Sequence, residues 1–151
     1  MVMTPTTARA DLLGGLEQEV AVMVRRIRRV IGERSRAVHP DLQPSGYLML
    51  SWLTTNGPQR ASAMVEAFGI DKGAISRQVQ HLVDLALVDR TPDPADGRAM
   101  LVSASAEAVA RLTELNTDRR RWLDERLDDW PDADLSEFVR LLGRYNSALD
   151  A

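Results

Sequence analysis

The sequence predicts a mostly helical α+β fold, with long terminal helices on either side of a helix-turn-helix and a short β-hairpin. Three observations support this prediction. Apolar residues recur every three or four positions over most of the chain, which is the spacing of one helical face. Aromatic residues make up only 5% of the sequence, so aliphatic side chains on helices must supply most of the core. Two β-type segments, residues 87–91 and 99–103, flank a stretch with two prolines and one glycine.

The first helix is predicted over residues 8–36, where apolar side chains form one stripe from Leu13 to Ile31. A loop with two prolines, residues 39–44, separates it from a second helix over residues 45–55. Four arginines lie between the apolar positions of the first helix, where they either meet phosphate or, as is more usual, form a solvated face: Arg25, Arg26, Arg28 and Arg29.

A helix-turn-helix is predicted next. A short third helix over residues 63–68 can end at Gly69, which readily adopts the left-handed conformation. Asp71 can cap the fourth helix by accepting backbone N–H bonds. The fourth helix is predicted over residues 72–86, with one narrow buried sector made of Ile75, Val79, Leu82 and Ala86.

The opposite face of the fourth helix carries small, amide, hydroxyl and cationic side chains and no large apolar residue. Residues 72–83 include two cations and no acid, so positive charge is concentrated where phosphates would approach. In the major groove Arg pairs with guanine and Gln with adenine, which suits this surface to duplex DNA. The predicted contacts on this helix are Lys72, Gly73, Ser76, Arg77, Gln80 and His81, although a lone helix histidine usually has no such role.

The hairpin that follows is predicted to turn through residues 92–98, with Arg98 near its tip. A helix shaped for a groove, followed by a turn that projects one guanidinium, is how a winged helix-turn-helix contacts duplex DNA. Arg98 would then read the width of the minor groove, where the pattern of base edges is degenerate.

Two further helices complete the chain. Ser105 is predicted to cap a fifth helix that reaches about Pro131, and Asp134 with Glu137 predicts a capping box at the start of the last helix. The apolar stripes of the terminal helices are too long to be buried by one small domain. We therefore predict one compact unit made of a helical dimerisation region, residues 1–40 and 104–151, and a winged helix-turn-helix DNA-binding region, residues 41–103.

These residues together resemble the MarR family (multiple antibiotic resistance regulators) of bacterial transcription factors over nearly the whole chain. The most specific segment is Asp96-Gly97-Arg98 followed by Leu101-Val102-Ser103, and the second is residues 71–79 with its Ser-Arg pair. The chain departs from the family pattern at Ala86, where the family often has Gly, and at residues 104–108, where it often has Leu-Thr-x-x-Gly.

The resemblance implies roles for named residues. Arg98 enters the minor groove, Asp96 helps to orient its guanidinium, and Ser76 with Arg77 contacts bases and phosphates. It also implies a homodimer on a pseudo-palindromic operator of double-stranded DNA, acting as a repressor that a small, often aromatic and acidic, ligand releases. Tyr47, Trp52 and Trp122 are candidates to line the ligand crevice, although residues of this kind more often belong to the ordinary core.

Composition limits the alternatives. The chain has no cysteine, which excludes disulfides and thiolate metal sites, and two distant histidines predict no metal centre. No nucleophile and base can be assembled at helical spacing, so neither an enzyme nor a cofactor is expected. The longest strongly apolar run, residues 20–24, is too short to cross a bilayer, and residues 1–9 have no apolar leader, so we expect a cytoplasmic protein without a membrane partner.

The charge of the chain argues against DNA. Its formal net charge is −3, and residues 60–98 contain five basic and six acidic residues, a local balance of −1. The usual positive footprint of a nucleic-acid-binding domain is therefore absent. This keeps open a second hypothesis, a winged-helix dimer that serves as a protein-interaction module with weak or no DNA binding.

Overall fold

The computed structural model of the chain describes residues 7–150; the start of the segment considered above for a leader, residues 1–6, lies outside it. The described residues form six helices and three strands, which confirms the mostly helical winged-helix fold. In chain order these are α1 (Thr7–Val38), α2 (Pro44–Asn56), β1 (Gln59–Arg60), α3 (Ala61–Phe68), α4 (Lys72–Asp84), β2 (Val88–Asp93), β3 (Asp96–Ala104), α5 (Ala106–Arg126) and α6 (Asp132–Leu149).

The chain divides into two compact units, Met1–Leu112 and Thr113–Ala151. The first contains the core, whose largest fully buried side chains come mostly from α2, α3 and α4, with the rest from α1, α5 and the turn after α4. Aliphatic residues dominate this core, as the low aromatic content predicts, and burying each one fully contributes roughly 1.5–3 kcal/mol. They include Met49, Leu50, Leu53, Met64, Ile75, Leu82, Leu87 and Leu112.

The sheet has three antiparallel strands in the order β1-β3-β2. The short strand β1 was not predicted; it pairs with β3 through Gln59 with Val102 and Arg60 with Leu101. Strand β2 pairs with β3 from Val88 opposite Ala104 to Asp93 opposite Asp96, and the register shifts between Pro92 and Asp93. Strand β2 therefore lies at one edge of the sheet.

The predicted turn over residues 92–98 is wrong. Strands β2 and β3 continue through most of it, leaving only Pro94 and Ala95 between them. Pro92 is compatible with a strand here because β2 is an edge strand, where a missing N–H does not break a ladder between two neighbours. The hairpin is consequently longer than its sequence indicates.

Three predicted turn and cap residues agree with the structure, and one predicted helix residue does not. Gly69 has a left-handed φ of 63°, and the Asp71 carboxylate accepts a hydrogen bond from the backbone N–H of Ala74, as predicted. Ser105 likewise accepts a bond from the N–H of Ala108 and caps α5. Ala86 was predicted to be buried in the last turn of α4, which is wrong: α4 ends at Asp84, and Ala86 is exposed with a φ of 58°.

Ala86 leaves the helix because the chain must reverse direction between α4 and β2. The N–H of Leu87 donates to the carbonyl of Leu82 and the N–H of Ala86 donates to that of Val83, both at 2.9 Å. These two bonds define a Schellman motif, in which the residue at the position of Ala86 is left-handed and usually glycine. The buried side chains of Leu82 and Leu87 provide the apolar contact typical of this motif.

The second unit contains the rest of α5 and all of α6. Helix α5 ends at Arg126 rather than near Pro131, and the predicted capping box at Asp134 is wrong because α6 already begins at Asp132, after Pro131. The Pro131 carbonyl accepts bonds from the N–H groups of Asp134 and Leu135, which starts the helix without a side-chain cap. Glu137 instead pairs with Arg140 along the helix. None of the residues in α6 is buried.

No helix within residues 7–150 is long and apolar enough to cross a membrane. The same residues contain no cluster of three or more side chains suited to holding a metal ion.

Candidate nucleic-acid interface

Helix α4 is fixed at its start and along its inner face, which determines what it exposes. Asp71 caps its first turn with an Oδ1 to Ala74 N distance of 2.8 Å. Ile75, Val79 and Leu82 are buried and hold one side of the helix against the core. The opposite side therefore faces outwards in a defined rotation about the helix axis.

Five of the six residues predicted to contact DNA from α4 are exposed: Lys72, Gly73, Ser76, Arg77 and Gln80. A Cβ built on Gly73 would lie 3.1 Å from Oδ1 of Asp71 and 3.3 Å from Nη1 of Arg77. A side chain at this position would thus crowd the capping carboxylate and displace the guanidinium. Glycine leaves both groups where they are and keeps the first turn of the helix open to a close approach.

Gln80 belongs to a hydrogen-bond chain that sequence reasoning missed. Its Nε2 donates to Oδ1 of Asp84 at 2.8 Å, and its Oε1 accepts from Nη1 of Arg90 at 3.0 Å. Arg90 lies on β2, so only the tertiary fold brings it to α4. The two bonds orient the amide, which still keeps one N–H and one lone pair for a partner such as adenine.

His81 is half-buried rather than part of the open face. Its Nε2 lies 3.1 Å from the backbone oxygen of Asp41, in the loop before α2. Gln78 makes a second link between α4 and the start of α2 by donating from Nε2 to Oγ of Ser45 at 2.7 Å. His81 and Gln78 therefore help to join α4 to α2. A shallow depression of about 430 Å³ lies beside them, lined by Gln43, Ile70, Ala74, Arg77, Gln78 and His81.

Arg98 and Asp96 are both exposed on β3, at the outer end of the hairpin. The Asp96 carboxylate accepts a bond from the backbone N–H of Arg98 at 3.1 Å. Within residues 7–150 no ion pair joins this carboxylate to the Arg98 guanidinium. In the protein without DNA, Asp96 thus orders the main chain at Arg98, while the guanidinium extends into solvent.

A different acid in the hairpin engages an arginine. Asp93, at the end of β2, is only 8% exposed, and its Oδ2 lies 2.6 Å from Nε and 2.5 Å from Nη2 of Arg60. Its Oδ1 accepts from the backbone N–H of Ala95 at 2.9 Å. The Ala95 hydrogen bond and then the Arg60 guanidinium hold the pKa of Asp93 below its ordinary value. No local pattern predicts this pair, because its two members are 33 positions apart in the chain.

The three aromatic residues considered for a ligand crevice have different surroundings. Tyr47 is buried in the core of the first unit, with the Arg34 guanidinium 5.6 Å from the centre of its ring. Trp52, in the same unit, is half-buried and packs edge-on against Phe68. Trp122 lies in the second unit, is 45% exposed, and has the guanidinium of Arg119 4.4 Å from its ring centre.

The chain is similar to known regulators over most of its length. A family model described as the MarR family matches residues 41–99, which include α3, α4 and part of the hairpin. The uncharacterized HTH-type transcriptional regulator YxaD of Bacillus subtilis is 30% identical over 133 residues, which cover 88% of this chain and 92% of that protein. The HTH-type transcriptional repressor NicR of Pseudomonas putida is 28% identical over 79 residues, covering 52% of this chain and 50% of that protein.

Solved structures show the same fold. RV1404 from Mycobacterium tuberculosis superposes with a TM-score of 0.77 at 17% identity, covering 100% of this chain and 99% of that one. The crystal structure of MarR superposes with a TM-score of 0.68 at 18% identity, covering 88% of this chain and 89% of that one.

Proposed function

The chain belongs to the MarR family of winged helix-turn-helix transcriptional regulators, and we propose that it acts as a homodimeric repressor that binds a pseudo-palindromic DNA operator. One observation carries this proposal more than any other. Helix α4 is capped, packed on one side and open on the other, and its open face presents Ser76 and Arg77 next to a hairpin that presents Arg98.

Helix α4 would read bases in the major groove. Among the described residues, the side chains of Ser76 and Arg77 have no hydrogen-bond or ion-pair partner, so both are available to DNA. Arg77 would pair with O6 and N7 of guanine and Gln80 with adenine, each pair discriminating by roughly 1–3 kcal/mol. Lys72 and Ser76 would contact phosphates and set the register of the helix, and Gly73 would let the backbone come close.

The hairpin would contact the minor groove through Arg98, with Asp96 ordering the main chain that carries it. Such a contact responds to groove width and so to A·T-rich sequence. His81 is proposed as a weaker contributor, since its ring already faces the carbonyl of Asp41.

The small excess of acidic over basic residues in residues 60–98 opposes DNA binding less than the number of carboxylates indicates. Several of its carboxylates are engaged within the protein: Asp71 caps α4, Asp84 accepts from Gln80, and Asp93 pairs with Arg60. A carboxylate that faces an arginine projects less negative potential towards a phosphate than a free one. Affinity would nevertheless fall steeply with salt, because phosphate contacts release counterions.

Dimerisation is proposed from apolar side chains that the described chain leaves uncovered. On α1, Leu12 is 75% exposed and Ile27 46% exposed. On α6, considered by itself, Phe138 is 48% exposed and Val139 64% exposed. A helix with such a stripe normally buries it against a partner. A second copy of residues 1–40 and 104–151 is the proposed partner, and it would place two α4 helices about 34–36 Å apart, one turn of B-form DNA.

Release by a small aromatic or acidic ligand is a further part of the proposal and rests on the family resemblance. Trp52 in the first unit is half-buried and Trp122 in the second unit is exposed, so each, taken by itself, stays a candidate to contact such a ligand. Tyr47 would contribute only if the core around it opens, because it is 5% exposed.

Selection of bound sequences from a random duplex pool tests the proposal, followed by fluorescence anisotropy with the selected duplex at several salt concentrations. We expect an inverted repeat and loss of binding in Arg77→Ala. Arg9→Ala is the matched control, since it removes an exposed arginine from the first turn of α1, outside the proposed DNA contacts. If no sequence is enriched and the residual binding does not depend on salt, the protein-interaction module is the better description.

A further inference from the structure

The outer end of the hairpin has little support from the sheet. Strand β1 pairs with β3 only at Leu101 and Val102, so the part of β3 from Asp96 to Met100 has β2 on one side alone. The register also shifts between Pro92 and Asp93. Isolated two-stranded hairpins are marginally stable in water, so this end would fray unless another contact held it.

The contact that holds it is the ion pair between Arg60 and Asp93, called here the wing clasp. Two nitrogens of Arg60 approach Oδ2 of Asp93, and Oδ1 takes the N–H of Ala95 in the turn. The Asp93 side chain is 10% exposed, and a carboxylate this far from water requires such partners. The clasp thus joins β1, the last residue of β2 and the turn between β2 and β3.

Arg60 connects the wing clasp to the helix-turn-helix. Arg60 is also the N-cap residue of α3, the first helix of the helix-turn-helix. Asp93 pairs with Asp96 across the hairpin, and Asp96 orders the main chain of Arg98. A continuous series of contacts therefore runs from the start of α3 to the residue that carries the minor-groove guanidinium.

We propose that Arg60 and Asp93 are positioning residues for DNA binding, which fix the hairpin so that Arg98 enters the minor groove while α4 occupies the major groove. This inference rests on the proposed function. Without the clasp, Arg98 has to be ordered at the moment of binding, and that ordering weakens the complex.

A double-mutant cycle tests the proposal with the intact chain and the selected duplex. Arg60→Gln should weaken binding by about tenfold when Arg98 is present, a coupling typical of residues in one contact network. In the Arg98→Ala background the same substitution should change affinity less than about twofold, because the residue being positioned is gone. Arg60→Lys keeps the charge but loses the two-nitrogen contact, so its affinity should lie between those of the wild type and Arg60→Gln.

The control removes an ion pair of the same kind elsewhere. Arg140 contacts Glu137 through Nε at 2.8 Å and Nη2 at 2.5 Å, within α6. In the hydrogen-exchange experiment that follows, Arg140→Gln should leave exchange at Ala95 and Arg98 as slow as in the wild type.

Amide hydrogen exchange of the protein without DNA provides a second readout that does not depend on binding. Arg60→Gln should speed exchange at Ala95 and Arg98 while leaving the buried amides of α4 as slow as in the wild type. Equal losses of affinity with and without Arg98, or unchanged exchange at the turn, would overturn the proposal. If the wild type binds no duplex, the proposed function fails, and the exchange experiment alone then decides whether the clasp orders the hairpin.

Discussion

Replacing Ala86 with glycine should stabilise the protein. Ala86 lies at the turn between α4 and β2 with a φ of 58°, the one non-glycine residue among residues 7–150 with a positive φ. Two backbone bonds of the Schellman motif, each 2.9 Å long, hold it there. An L-residue in this conformation brings its Cβ too close to the following carbonyl oxygen, and glycine removes the conflict.

The size of the effect follows from two opposing terms. Relief of the left-handed conformation contributes roughly 1–2 kcal/mol. The greater freedom of glycine in the unfolded chain offsets about 0.4–1 kcal/mol of that gain. The Ala86 side chain is exposed, so its removal leaves no cavity. We therefore expect the free energy of unfolding to rise by about 0.8 kcal/mol and Tm by about 2–3 °C for a chain of this length.

Urea denaturation at one fixed protein concentration measures this change, since the stability of a dimer depends on concentration. Ala110→Gly is the matched control: Ala110 is exposed within α5, where glycine should destabilise by about 1 kcal/mol. Opposite signs for the two substitutions would support the reasoning. A loss of stability in Ala86→Gly similar to that in Ala110→Gly would refute it, because the backbone at Ala86 would then not be left-handed in solution.

Three other outcomes are expected. Asp71→Ala removes the cap of α4 and should lower the free energy of unfolding by about 1 kcal/mol in urea titrations, whereas Asp71→Asn, which keeps an acceptor, should lower it less. Arg90→Ala frees the Oε1 of Gln80 and should relax the preference for adenine in a duplex selection; an unchanged preference would show that the Arg90 bond does not orient the amide. The pKa of Asp93 is lowered from 3.8, so its stabilising effect is present above that pH and is lost as the pH falls through the lower value of the folded state. The stability difference between the wild type and Asp93→Asn in urea should therefore be full at pH 7 and shrink below pH 3.8, and a constant difference would contradict this.

Local signals in the sequence predicted the fold well wherever one residue decides the conformation. Gly69 and Asp71 set the turn and the cap of the helix-turn-helix, and both act on backbone groups within three positions of themselves. Ala86 shows the limit of such signals. Its apolar side chain continues the spacing of the buried sector of α4, but the hydrogen bonds from the N–H groups of Ala86 and Leu87 back to Val83 and Leu82 end the helix before it.

The candidate site could be predicted only in part for the same physical reason. Helical spacing is enough to place Ser76 and Arg77 on the face opposite the core. It contains no information about Arg60 meeting Asp93, or Arg90 meeting Gln80, because those contacts depend on how β1 and β2 are placed beside β3 and α4. Strand β1 has only two residues, too few to leave a periodic pattern.

The exposed side chain of Lys72, at the first position of α4, has a practical consequence. It is the sole lysine in the 151-residue chain, since all other basic side chains apart from two histidines are arginines. Amine-directed acylation would therefore modify one side chain, at the end of α4 proposed to approach phosphates, together with the terminal amine. DNA bound at this end of α4 would slow the acylation of Lys72. The acylation rate would therefore report the fraction of protein bound to DNA without an engineered label. Acylation also removes the positive charge of Lys72, which lies on the helix that is proposed to read the operator.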